Sequence, residues 1–180
     1  KILGAQAIGQ GAVDKRIDVI STLIQMDGTL YDLQELELCY APAFGTAKDV
    51  VNMAGFVGMN LLNGVYEQVR MTEVPKLVEE GATFIDVRQP AAYEKAHIRG
   101  AINIPLTELR DRLDEVPKDR TVYVYCRTSL TSYLALRVLQ NNGFTNVKNT
   151  QGSMLGLSHY VYFKDKTTDR ESILTGYVLH

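Results

Sequence analysis

The spacing of apolar positions changes near residue 70, and that change divides the chain in two. Ile17, Ile20, Leu23 and Ile24 recur at helical spacing, behind Asp14 as an N-cap and ahead of Asp27-Gly28 as a stop. Lys1 to Ala7 reads as a strand, Thr29 to Leu38 as a connector with some helical pattern, and Tyr40 to Gly45 as turns. Asp49 to about Tyr66 reads as a second helix. Its apolar face is Val50, Ala54, Val57, Leu61 and Val65, yet Met53, Phe56 and Met59 lie outside that face. Gly55 and Gly58 leave room for another backbone. A helix apolar on more than one side must be buried on more than one side. Two helices with one or two strands cannot supply that cover. Residues 1–70 are therefore expected to be a piece of a larger domain or of a subunit interface, against the alternative of a small independent helical domain.

From Met71 short strands alternate with helices. Thr72 to Glu80 predicts a helix ended by Gly81, Phe84 to Val87 a buried strand, and Ala91 to Ala96 a short helix. Ala101 to Ile104 predicts a strand, Leu106 to Leu113 a helix, and Thr121 to Tyr125 the clearest strand. A helix over Thr131 to Asn141, closed by Asn142-Gly143, and a strand from Val147 complete the series. This alternation predicts an α/β fold with an open parallel sheet. The tail 158–180 carries no motif and is read as an extra helix or strand, or as partly disordered.

Composition removes several function classes. The chain has 180 residues, 46% of them hydrophobic, enough for a real core. Its net charge of -2 and lack of a Lys/Arg cluster give no footprint for nucleic acid. Cys39 and Cys126, the two cysteines, form neither a disulfide framework nor a metal-ligand pair, so no metal is expected. They fit a reducing cytoplasm. No basic stretch followed by an apolar one opens the sequence, so no signal peptide is read. The most apolar window, Val50 to Tyr66, is broken by Asn52, Asn60 and Asn63 and is too short to span a membrane. A soluble protein is expected.

The candidate chemistry lies at Cys126. It follows the strand Val122-Tyr123-Val124-Tyr125 and precedes Arg127-Thr128-Ser129-Leu130-Thr131-Ser132, where a helix begins. Ligands bind at this edge of open α/β sheets. A short loop entering a helix turns backbone N–H groups inward, and the helix dipole favours a thiolate. Such a thiolate can take a sulfur atom and pass it on. The alternative is a small buried apolar cysteine.

Phe84-Ile85-Asp86-Val87-Arg88-Gln89-Pro90, Tyr93-Glu94 and His97-Ile98-Arg99-Gly100-Ala101-Ile102-Asn103-Ile104-Pro105 resemble the N-terminal signature of the rhodanese superfamily. Tyr125-Cys126-Arg127 and Asn142-Gly143-Phe144 continue the resemblance. It covers residues 71–157 and implies a rhodanese-like open parallel sheet flanked by helices, with Cys126 carrying a persulfide. Arg127, Thr128, Ser129, Leu130, Thr131 and Ser132 would be the loop that binds it. Asp86 and Arg88 are read as a supporting pair rather than as catalysts, His97 as bonded to local backbone, and Gly100 as a conformational requirement. Active members usually have a glycine in mid-loop and often an arginine near its end. Ser129 and Thr131 stand there instead, which favours a neutral or thiol-bound sulfur donor over thiosulfate. Cysteine phosphatases place an arginine six residues after the nucleophile, and Ser132 at that position argues against that class.

Leu3-Gly4-Ala5-Gln6, Val13 to Val19 and Tyr40-Ala41-Pro42-Ala43-Phe44-Gly45 through Gly55 are similar to the end of another family's dimerisation domain. The family is the flavin-dependent pyridine nucleotide–disulfide oxidoreductases, in the branch of coenzyme A-disulfide reductase, NADH oxidase and polysulfide reductase. Residues 1–70 would then be a partial α+β dimerisation segment. The resemblance implies a homodimeric parent that binds FAD and uses NAD(P)H, with coenzyme A as a further candidate and Tyr40 near the partner subunit's redox site. No G-x-G-x-x-G follows a strand, so no cofactor is expected on this stretch itself. Cys39 is expected to be buried and inert.

Together these readings give sulfur relay from a sulfane-sulfur donor through Cys126 to a thiol acceptor. Two rivals are an inactive docking or dimer-stabilising rhodanese fold, and peroxide or disulfide reduction with Cys39 as resolving thiol.

Overall fold

Two capping boxes organise the N-terminal stretch. The structure, a computed structural model, describes residues 1–179, and their contacts divide the chain into two units, the first ending at Val65 and the second beginning at Tyr66. In the first unit, α1 spans Val13–Gln25, α2 Leu30–Glu35 and α3 Val50–Leu62. Thr29 caps α2 by exchanging hydrogen bonds with Asp32, and Asp49 caps α3 by exchanging them with Asn52. Gly55 brings α2 and α3 together. A Cβ there would lie 2.5 Å from the backbone nitrogen of Gln34.

Three expectations change in this unit. Lys1 to Ala7 forms no strand, and among the described residues its one backbone bond runs from Ile2 N–H to Gly28 O. The cap position of α1 is Ala12, in the left-handed region at φ 52, and Asp14 sits inside the first turn, where its charge favours the dipole. The side of α3 turned inward is Val51, Asn52 and Gly55, because Asn52 donates to the carbonyls of Gln34 and Leu36 and Gly55 admits α2. The face read from spacing is open instead, with Val50 59%, Val57 43% and Leu61 39% exposed.

In the second unit five strands form a parallel sheet in the order β1-β5-β4-β2-β3. They are β1 Glu67–Val69, β2 Thr83–Asp86, β3 Ile102–Asn103, β4 Val122–Tyr125 and β5 Val147–Thr150. The helices are α4 Val74–Glu79, α5 Pro90–Lys95, α6 Leu130–Asn141 and α7 Ser153–Thr167. Period-2 alternation sends Ile85, Val122 and Val124 to the face covered by Leu136 and Leu139 of α6. It sends Phe84 and Tyr125 to the face covered by Met154, Leu157 and Val161 of α7. Parallel strands carry helices on both faces for this reason.

Strand β1 begins ahead of the change of pattern at Met71 and is too short to alternate visibly. The helix expected over Leu106 to Leu113 is absent. Turns run to Asp111 and a 3₁₀ helix covers Leu113–Glu115. Leu106 N–H bonds to Val87 O and Leu109 is fully buried, so the segment is held tightly on the sheet by i→i+3 bonds. The tail is neither free nor featureless. Helix α7 continues through it, Ile173 and Leu174 are buried, and Thr175 N–H donates to His97 O.

Candidate functional site

Strand β4 is a central strand, and Cys126 is the first residue beyond its C-terminal end. The chain reverses into α6 within three residues. Ser129 makes that reversal at φ 83, a conformation glycine adopts freely and serine does not. The reversal aims the Ser129 N–H at Cys126 Sγ, 3.2 Å away, and brings Ser132 Oγ to 3.5 Å. Cys126 is 2% exposed.

A second connection completes the floor. Beyond β5, Gly152 and Ser153 turn the chain into α7. Met154 N–H donates to Cys126 O and Leu155 N–H to Arg127 O. The first free N–H groups of α7 thus hold the cysteine loop by its carbonyls. Ser153 Oγ accepts the Cys126 N–H at 3.2 Å and lies 4.0 Å from Sγ. Asn149 Oδ1 accepts from Ser132 Oγ at 2.7 Å. Sequence reasoning missed Asn149 and Ser153. The only signal for Ser153 was its place just after the last strand's glycine.

Burial pushes the Cys126 thiol up. Hydrogen bonds from Ser132 Oγ and from the N–H groups of Ser132, Thr128 and Ser129 outweigh it, so the thiol titrates below its ordinary value. The alkylation rate of Cys126 should therefore follow a pH curve displaced downward from that of a free thiol. A curve at or above the free-thiol position would contradict the hydrogen-bond account. Linkage gives the matching stability change: the contribution is complete above the unfolded thiol's value and is lost as pH falls through the folded one.

The other loop residues contribute unequally. Arg127 and Thr128 are exposed, and Arg127 forms no ion pair among the described residues. Leu130 is 61% exposed and Thr131 is partly buried. Asp86, the last residue of β2, and Arg88 just beyond it form a buried bidentate pair, with Arg88 also donating to Ala96 O. The pair lies beside Tyr125, whose ring the guanidinium faces at 5.8 Å. His97 Nδ1 is 2.8 Å from Tyr93 O, a local backbone partner. In the first unit Tyr40 is 53% exposed, and Cys39 is exposed rather than buried, as residues 39–48 are exposed throughout. Among the described residues no group is placed to hold a metal, and no helix is long and apolar enough to cross a membrane.

The site is thus a cysteine sulfur set among hydrogen-bond donors at the C-terminal edge of a parallel α/β sheet. Residues 70–159 match the Rhodanese-like domain model, and the chain belongs to that family. It is 42% identical over 71 residues to the thiosulfate sulfurtransferase PspE of Escherichia coli, covering 38% of this chain and 68% of PspE. Two solved structures extend the likeness. Reduced Bacillus anthracis CoADR-RHD matches with a TM-score of 0.80 and 43% identity, over 83% of this chain and 27% of that one. A NAD-dependent persulfide reductase from A. fulgidus matches with a TM-score of 0.72 and 39% identity, over 81% and 26%. Matches this broad reach beyond the second unit into the first. The chain spans about a quarter of the length of those two proteins.

Proposed function

We propose that the second unit is a sulfur carrier acting by sulfane-sulfur relay. Cys126 thiolate attacks the outer sulfur of a donor persulfide. The donor's S–S bond breaks, its thiolate leaves with the bonding pair, and a Cys126 persulfide forms. An acceptor thiol then attacks the outer sulfur, and Cys126 leaves as thiolate. No external oxidant or reductant is needed in either half. The observation that carries this reading is the Ser129 N–H donating to Sγ at the end of β4, with Ser132 Oγ 3.5 Å from the same sulfur. The names of the sulfurtransferase and persulfide reductase relatives support it.

Neutral donors line the sulfur, and Arg127 is the loop's only cation. This arrangement suits a thiol-bound donor, whose sulfane group carries at most one negative charge, better than doubly charged thiosulfate. Intact-mass measurement after brief exposure to glutathione persulfide should show an added mass of about 32 Da, one sulfur atom, removable by reductant. Thiosulfate should load the protein more slowly. A wild-type chain that stays unmodified while its thiol reacts with an alkylating agent would sink the relay and favour a docking module.

For a longer parent we propose a homodimeric, cytoplasmic flavin-dependent reductase of the CoA-disulfide or polysulfide type, using FAD, NAD(P)H and coenzyme A. The open apolar face of α3 is the surface such a parent would cover, and Tyr40 would stand near the partner's redox site. These residues do not themselves fit a dinucleotide. The glycine-led turn after β5 has its first N–H groups engaged by Cys126 O and Arg127 O, so it offers no pyrophosphate cradle. The sulfur step therefore needs only Cys126 of this chain.

A further inference from the structure

Among the described residues four non-glycine residues have positive φ, and the two in the second unit are Ser129 (φ 83) and Ser153 (φ 47). They come from different connections, 24 positions apart, yet their hydroxyl oxygens stand 3.2 Å from each other beside Cys126. Glycine would take either backbone without strain. What serine adds at both places is a hydroxyl.

We infer that the Ser153 hydroxyl, 4.0 Å from Sγ and with the Ser129 hydroxyl beside it, hydrogen-bonds the charged sulfur carried on Cys126. The assignment rests on the reading of Cys126 as a sulfur carrier. The proton count is what makes it workable. Each hydroxyl has one proton, and both are directed to Thr150 O, at 3.0 Å from Ser129 Oγ and 3.2 Å from Ser153 Oγ. A backbone carbonyl keeps these protons in place while the sulfur is neutral. Negative charge on the sulfur makes it the stronger acceptor, because bonds to a charged partner are about twice as strong as neutral ones. Rotation about one side-chain torsion then redirects a proton without moving the backbone. Ser153 also holds the Cys126 N–H, so the same side chain senses the loop's position and the sulfur's charge. The pair supplies hydrogen bonds where a guanidinium would supply charge, which matches a singly charged sulfur better than a doubly charged donor.

The test uses the full chain in a Cys39→Ser background, so that the exposed thiol does not contribute. Ser153→Gly and Ser153→Ala are compared with the parent by the pH profile of Cys126 alkylation and by persulfide lifetime. Ser153→Gly removes both hydroxyl and strain, whereas Ser153→Ala removes the hydroxyl and keeps the strain. Both should move the alkylation curve to higher pH and shorten the persulfide lifetime about tenfold, the scale of one hydrogen bond to a charged group. Their melting temperatures should differ, with the glycine variant the higher of the two. If both variants keep the wild-type curve and lifetime, the serines are structural only and the inference is overturned, whatever happens to melting. Failure of the wild type to take up sulfur would sink the relay reading instead. The alkylation curves would still decide whether the hydroxyls serve a charged sulfur, because they need no sulfur donor.

Discussion

Cys126→Ser should take up no sulfur from glutathione persulfide and should transfer none to an acceptor thiol, while folding as the wild type does. The oxygen of serine sits in the same N–H cradle, but at neutral pH it is an alcohol, and it has no route to a persulfide. Loss of a nucleophile leaves only the binding contribution, so activity should drop by about three orders of magnitude or more. Stability should move by no more than about 1 kcal/mol, since a small side chain that accepts hydrogen bonds is exchanged for another. Intact mass after persulfide exposure and a thermal melt read the two quantities separately. Sulfur uptake that persists in Cys126→Ser would move the carrier elsewhere in the chain, with exposed Cys39 the first place to look.

Asp86→Ala should be the most destabilising single change in the second unit. Asp86 is fully buried and accepts from Arg88 Nε at 2.9 Å and from the Arg88 backbone N–H at 3.0 Å. Burial pushes Arg88 down, but Asp86 more than offsets this and leaves the guanidinium firmly charged. Removing the carboxylate strands that charge with only the neutral partners Ala96 O and the Tyr125 side chain. Breaking one side of a buried pair costs about 3–5 kcal/mol, a large share of a typical domain's total of about 5–15 kcal/mol. The doubly apolar variant Asp86→Leu/Arg88→Met should recover much of the loss, because neither charge is then left buried. Denaturant melts of the two single variants and the double variant check this. Equal destabilisation of single and double variants would mean that the pair acts through its shape rather than its charge.

Much of this was legible before any coordinates. The strand Val122 to Tyr125, the loop and the following helix appear in the sequence because period-2 and period-3.6 spacings are written into consecutive residues. Gly55 announced a close backbone approach, and Gln34 is what approaches it. The segment from Leu106 misled, because its apolar spacing fits a helix while its anchoring to Val87 O forces tighter turns. The inward side of α3 was misread for a related reason. Side-chain hydropathy favours Val50 and Val57, but a glycine and an asparagine that bonds two carbonyls decide which side α2 can reach.

The sequence by itself determined the α/β alternation, the place of Cys126 at a strand's C-terminal end, and its entry into a helix, because those features depend on neighbours in the chain. Tertiary structure alone decided which groups meet the sulfur. Ser153 and Asn149 reach the cysteine loop from 27 and 23 residues away because β5 pairs with β4 in parallel register, and that pairing delivers the β5–α7 connection to the same sheet edge. Hydrogen bonds between segments so far apart are set by strand order and register, which no local pattern of hydrophobic residues encodes.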